Sequence, residues 1–317
     1  MGGIFVGAAA LMTELSMAFR LGDCKGDLAV RIERLAQGAE SLIRADCDAG
    51  LAGIRLVHKH GYAVAHSVHA ALLVEALAQS LSWAAQRRRS LVAAALTMNL
   101  AIRDLQDELW TWKGEVDAQR WAQLLGHPTE GARQLREAGI RDPLWLQIVA
   151  RHHERIDGSG YPAGLRGADL PVEVRVVALA DLYCALAVSR DFRTALVGGE
   201  LQEAFLARAA TVDRALGAFV LRWIGVYAPG TGVVLADGET AVVVRRPGKG
   251  VPAHCPRVRA IQRVTGDYHH EPPWRQTDRE ATRIVRALHS IPRRLPYPVE
   301  DLWCPLGRFK ESPAAAE

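Results

Sequence analysis

The chain contains only five cysteines, Cys24, Cys47, Cys184, Cys255 and Cys304, and no CxxC pair among them. That scarcity argues against a zinc knuckle or a disulfide frame and points to reduced thiols in a cytoplasm. An excess of one charge is missing too. Thirty-nine basic residues stand against 35 acidic ones, for a net charge of +4, a balance too even to argue for nucleic acid. The mild basic cluster from Arg283 to Arg294 reads as a solvated face, and no DNA contact is expected. The apolar run from Gly2 to Met12 is short, lacks a basic n-region and is followed by Glu14. It fits neither a signal peptide nor a membrane span and reads as a buried or dimerising helix, so a homodimer is open and a membrane partner is not expected. Repeats and low-complexity segments are absent, and residues 1–55 lack the strand–helix alternation of a phosphoacceptor receiver.

What is present is an ordinary folding composition, 49% hydrophobic and 23% charged, enough for a sizeable core. From Leu28 to about Val226 the apolar residues recur at three- and four-residue intervals, as in Val68, Leu72, Leu73, Leu77 and Leu81, which predicts amphipathic helices. Lys113-Gly114 before Asp117, His127-Pro128, and Gly198-Gly199 before Glu200 read as helix starts. After Trp223 the pattern changes. β-Branched runs flank Ala236-Asp237-Gly238, a hairpin signal, and Val258 to Val264 supplies a third strand. About forty final residues, with Trp274 and Trp303 nearby, read as a helix and a clamp on the core. The division expected is an N-terminal helical region (1–55), a helical domain (56–226) and a β extension with a helix and tail (227–317). The fold class is mainly α.

The densest chemistry lies in HHERIDGSGYPAGLRG, His152 to Gly167. Two adjacent imidazoles are suited to Zn, Mn, Fe or Ni, and Asp157, Gly158, Gly160 and Pro162 end a helix in an exposed turn. The continuation is LPVEVRVVALADLYCALAVSRDFR, Leu170 to Arg193. Together these resemble the signature of the HD-GYP family, bacterial metal-dependent phosphodiesterases of cyclic di-GMP with an HD-domain helical bundle. Departures fall at Cys184, where the family has Asp, and at Phe192, where it has Tyr.

The resemblance carries over residue by residue. His66 in YAVAHSVHAALL resembles the first ligand, His127 in LGHPTEG the HPxxG ligand, His152 and His153 the next two, and Asp181 in LADLYCAL the final carboxylate. Arg190 and Arg193 match positions that contact dinucleotide phosphates, as a planar guanidinium can. Asp157, Gly158, Gly160, Tyr161 and Pro162 form the loop that the family presents to protein partners such as a diguanylate cyclase or an adaptor. The remaining histidines, among them His58, His60, His69 and His289, read as surface or core residues.

The family's name-giving pair is missing. Where a segment like AALLHDIGK is due, this chain has AALTMNLAI, placing Met98 at the histidine, Asn99 at the aspartate and Ile102 at the lysine. The family's aspartate bridges two metals and offsets their charge; Asn99 is neutral, and a thioether suits soft Cu(I). The expected cofactor is therefore a divalent transition metal, one ion at most. One half-site keeps His66 and Asp181, the other His127, His152 and His153. Three functions stay open: a binding or interaction module of cyclic di-GMP signalling with impaired hydrolysis, an active phosphodiesterase with a rearranged centre, or a purely structural relative that binds neither metal nor nucleotide. The second needs a substitute carboxylate, for which Glu154, Asp157 and Asp104 are the candidates.

Overall fold

The computed structural model describes residues 3–20, 27–189, 194–292 and 294–303. Helices α1 (Ile4–Arg20), α2 (Asp27–Ala45) and α3 (Cys47–Leu56) open the chain, followed by α4 (Gly61–Ser80) and α5 (Ala85–Thr97). A short 3-10 turn, Leu100–Ile102, leads into α6 (Arg103–Thr111), α7 (Ala118–Glu137) and α8 (Pro143–Arg151). Beyond the signature loop come α9 (Val172–Ala187) and α10 (Gly198–Ile224), the latter broken by extended backbone at Asp213.

Helix α4 is apolar on every face, and residues 63 to 78 are all buried; an all-round hydrophobic helix belongs in the centre of a core. Its neighbours are α5 and α9. Among the described residues α4 is the one helix long and apolar enough to cross a membrane by length and composition, and 89% of its apolar window is buried inside the fold. Its single acid, Glu75, is 1% exposed. Burial pushes that carboxyl up, and Arg88 of α5 answers it at 2.9 Å while also reaching Glu40 of α2 at 2.8 Å.

The expected helix start near Asp117 is found: its carboxylate accepts the Arg120 N–H at 2.8 Å and caps α7. His127-Pro128 is not a start. Helix α7 runs through Pro128 without interruption.

The C-terminal part is one antiparallel sheet of five strands, ordered β4-β3-β2-β1-β5. The expected hairpin is β1 (Gly232–Leu235) and β2 (Thr240–Arg245), turned at Gly238 with φ +86°. The expected third strand is β3 (Arg257–Gln262). Beyond it the sequence reading needs correction: instead of a helix, the chain forms β4 (Trp274–Gln276) and β5 (Ile284–Leu288). Ile284, Ala287 and Leu288 have helical spacing, but the free edge of β1 recruits them into a ladder pairing Gly232 with Leu288 and Val234 with Arg286. Tertiary pairing overrides a short local pattern there. Trp303 acts as the expected clamp, donating to the Val244 carbonyl at 3.0 Å and packing on Phe5. Arg245 meets Asp46 at 2.7 Å, fastening sheet to α3.

Candidate metal centre

Each histidine of the candidate site is fixed by a local backbone rule. Pro128 has no N–H, so within α7 it leaves the Leu124 carbonyl without its helical donor. The His127 side chain fills that vacancy, Nδ1 donating to Leu124 O at 2.6 Å. At the end of α8 the last carbonyls lack intrahelical partners, and His152 Nδ1 donates to Val149 O at 2.8 Å. Both rings thereby present Nε2 as a lone pair. These two nitrogens lie 3.1 Å apart. Two lone pairs at that distance call for a cation or a shared proton between them. His153 completes the group, with the ligand atoms of His127, His152 and His153 all within 4.8 Å of one another. Donor type and closeness fit a borderline transition-metal ion.

Packing draws the three together. Gly131 lets α7 approach both α8 and the end of α5: a Cβ there would lie 3.4 Å from Val149 and 3.8 Å from the Met98 carbonyl. Tyr161 stacks on His153 with centroids 4.9 Å apart. Burial and the His152 ring beside it push the His127 imidazole down to about 3. Burial also lowers His152 and His153, so all three are neutral ligands at physiological pH.

The second half-site joins helices distant in sequence. His66 of α4 and Asp181 of α9 meet at 2.7 Å. Burial opposes ionisation of Asp181, but the hydrogen bond to His66 and the surrounding imidazoles outweigh it and hold the carboxyl well below its usual range. Met98 and Asn99 follow the end of α5, 0% and 4% exposed, and Ile102 is 5% exposed. Arg190 and Arg193 lie outside the described residues.

The signature loop differs from a free docking surface. Glu154, fully buried, accepts from the Ala163 N–H at 2.6 Å and the Leu165 N–H at 2.9 Å. Gly160 packs so closely that a Cβ would lie 2.5 Å from the Glu154 Cα, and Gly158 and Gly164 have φ +81° and +64°. Asp157 and Pro162 are exposed, but Tyr161 is half-buried against His153. Helix α8 already ends at Arg151, ahead of the loop. The loop thus holds a candidate ligand in place. Glu154→Ala is expected to destabilise the fold by about 2–3 kcal/mol, since two buried amides lose a charged acceptor; urea denaturation measures it.

The candidate substitute carboxylates do not reach the cluster. Glu154 is committed to the loop amides, Asp157 accepts from Ser159, and Asp104 is an exposed partner of Arg103. Sequence reasoning also passed over Tyr62, whose hydroxyl lies 3.3 Å from His66 Nδ1 and whose ring stacks on Trp110. Its signal was the i, i+4 spacing to His66.

A helical bundle that brings four imidazoles and one carboxylate to neighbouring points has the donor set of an HD-type centre. The family model of the HD domain matches residues 54–213, half of the chain, and the chain belongs to that family, in its HD-GYP group. It is 27% identical over 208 residues to a cyclic di-GMP phosphodiesterase of Pseudomonas aeruginosa, covering 66% of this chain and 50% of that protein. It is 30% identical over 145 residues to a 3'3'-cGAMP-specific phosphodiesterase of Vibrio cholerae, covering 45% of this chain and 28% of that one. The chain therefore spans half or less of these relatives' lengths. An HDG"Y"P protein from Bdellovibrio bacteriovorus shares the fold with a TM-score of 0.53 at 18% identity, over 67% of this chain and 70% of that one.

Proposed function

We propose that this chain is a cyclic di-GMP signalling protein that holds one transition-metal ion on His127, His152 and His153 and binds rather than efficiently hydrolyses the dinucleotide. The observation that carries the reading is the composition of the second half-site. His66 and Asp181 satisfy each other at 2.7 Å, and the position at which the family resemblance expects a bridging aspartate is the neutral Asn99. A bound ion supplies Lewis acidity and a water of lowered pKa. Three neutral imidazoles would hold it, Tyr161 would keep His153 oriented, and Asp181 would provide the nearest negative charge. The relatives' named activities, on cyclic di-GMP and 3'3'-cGAMP, support a cyclic dinucleotide as ligand. Arg190 and Arg193 are the proposed phosphate contacts, and the exposed part of the 157–162 loop is the proposed contact for a signalling partner.

The alternative, an active phosphodiesterase with a rearranged centre, loses support because its substitute carboxylates are engaged elsewhere. The deciding experiment compares wild type with Met98→His/Asn99→Asp, incubated with cyclic di-GMP or 3'3'-cGAMP and Mn or Fe under reducing conditions. Metal content is expected to rise from one ion per chain to two, with turnover increasing at least 100-fold. Wild-type turnover that His153→Ala abolishes would overturn the proposal.

A further inference from the structure

A cleft of about 360 Å³ opens where α2 meets α5 and the turn between α7 and α8, within the size range of small-molecule sites. It shares no lining residue with the candidate metal centre. Small side chains create it. Ala29 and Ala36 of α2 and Ala93 of α5 line the gap, and Gly139 in the turn, at φ +93°, brings no side chain to fill it. The floor is apolar and fixed: Ile140 and Trp145 are 2% and 3% exposed, and the Trp145 indole donates to Thr97 Oγ1 at 2.8 Å. Helix α2 lies outside residues 54–213, whereas α5 and the turn lie inside them. The cleft therefore sits on the seam between the N-terminal helices and the HD domain.

Charge of both signs surrounds that floor, from Arg89, Arg141, Glu33 and Asp142. Close ion pairs are missing. Arg141 donates to the carbonyls of Arg136 and Ile140 at 2.8 and 3.0 Å and has no carboxylate partner among the described residues. The contact of Arg89 with Glu40 is 3.7 Å long. Arg88, Arg175 and Arg245, by contrast, meet carboxylates at 2.7 to 2.9 Å. Asp142 is committed to uncharged donors: it accepts from Ser90 Oγ at 2.5 Å and caps α8 through the Leu144 and Trp145 N–H groups. Glu33 has no ion-pair partner among the described residues, which makes it the carboxylate left for a cation. A guanidinium fork suits a ligand carboxylate. A simple anion would leave Glu33 and the apolar floor unused, whereas a zwitterion with an apolar body answers all three.

We propose that this cleft is a ligand site for a free α-amino acid with an apolar side chain. Its carboxylate meets Arg141 and Arg89, its ammonium meets Glu33, and its side chain packs on Trp145 between Ala36 and Ala93. Bound there, the ligand clamps α2 of the N-terminal region to α5 and to the start of α8. The site requires no metal.

The test is calorimetric titration of the chelator-treated full chain with L-leucine, L-phenylalanine, isocaproate and isoamylamine. The last two are leucine without its ammonium and leucine without its carboxylate. One amino acid or both are expected to bind at least tenfold more tightly than either single-charge analogue and to raise the melting temperature, as any ligand of the folded state does. Arg141→Gln keeps an N–H donor for the turn carbonyls but removes the charge, and Glu33→Gln removes the carboxylate; both positions are exposed. Each variant is expected to weaken amino-acid binding at least tenfold, with the melting temperature of the free protein unchanged. Absence of wild-type binding to both amino acids, equal binding of isocaproate, or undiminished binding in either variant would overturn the proposal. Chelation strips any ion from His127, His152 and His153 beforehand, so the result is independent of the function proposed for that centre.

Discussion

Chelation is expected to lower the melting temperature of the wild-type protein by about 5 °C or more, and His152→Ala is expected to erase that response. His152 and His127 each donate Nδ1–H to a carbonyl and face each other through Nε2 at 3.1 Å. An ion that binds the folded state alone stabilises it by about 2.7 kcal/mol at a hundredfold excess over its dissociation constant. In a domain of this size each kcal/mol moves the melting point by roughly 2–4 °C. Removing one of three ligands is expected to reduce metal occupancy at least 100-fold, so saturating Mn or Fe no longer raises the transition. Thermal scans with and without chelator, alongside elemental analysis, check both halves. An unchanged metal response in His152→Ala would place the ion elsewhere.

The second large effect is acid destabilisation of the metal-free protein, by about 4 kcal/mol between pH 7 and pH 5. His69 and His127 are buried neutral, and burial pushes both down to about 3. In the unfolded chain they titrate at about 6.5. Below that pH the unfolded chain binds protons that the folded one refuses, so acid favours unfolding. Their stabilisation is complete above about pH 6.5 and falls as the pH drops toward the folded value. Each histidine contributes about 2 kcal/mol over the window. Burial lowers His152 and His153 in the same direction, which adds to the slope. Asp181 does not offset it: its carboxyl is held below the usual value, so its contribution is lost only below the ordinary carboxylate range. Urea denaturation of chelated protein at pH 7, 6 and 5 measures the slope, and a flat profile would show that these rings are not buried neutral. His69→Gln is expected to remove about half of the contribution from the two measured rings.

Much of the candidate site was legible because its chemistry is local. His127 beside Pro128, and His152 at a helix end, carry their own tautomer instructions within four residues. The hairpin at Asp237-Gly238 is likewise a short-range signal. Glu154 was misread as a spare carboxylate because its partners, Ala163 and Leu165, are reached only when the loop folds back. The strand β5 was misread because Ile284, Ala287 and Leu288 have helical spacing in isolation.

The sequence by itself determined the mainly helical bundle and the order of the five candidate ligands, and it puts Met98 and Asn99 where the resemblance expects the HD pair. Those are properties of residue type and spacing, readable without a partner. Only the tertiary structure decided that His66 and Asp181, 115 positions apart, satisfy each other. It also decided that Tyr161 turns inward onto His153 and that α2, α5 and the turn before α8 enclose a cleft of mixed charge. Contacts of that range depend on how α2, α4, α5 and α9 pack, and no local periodicity encodes which carboxylate a distant ring will meet.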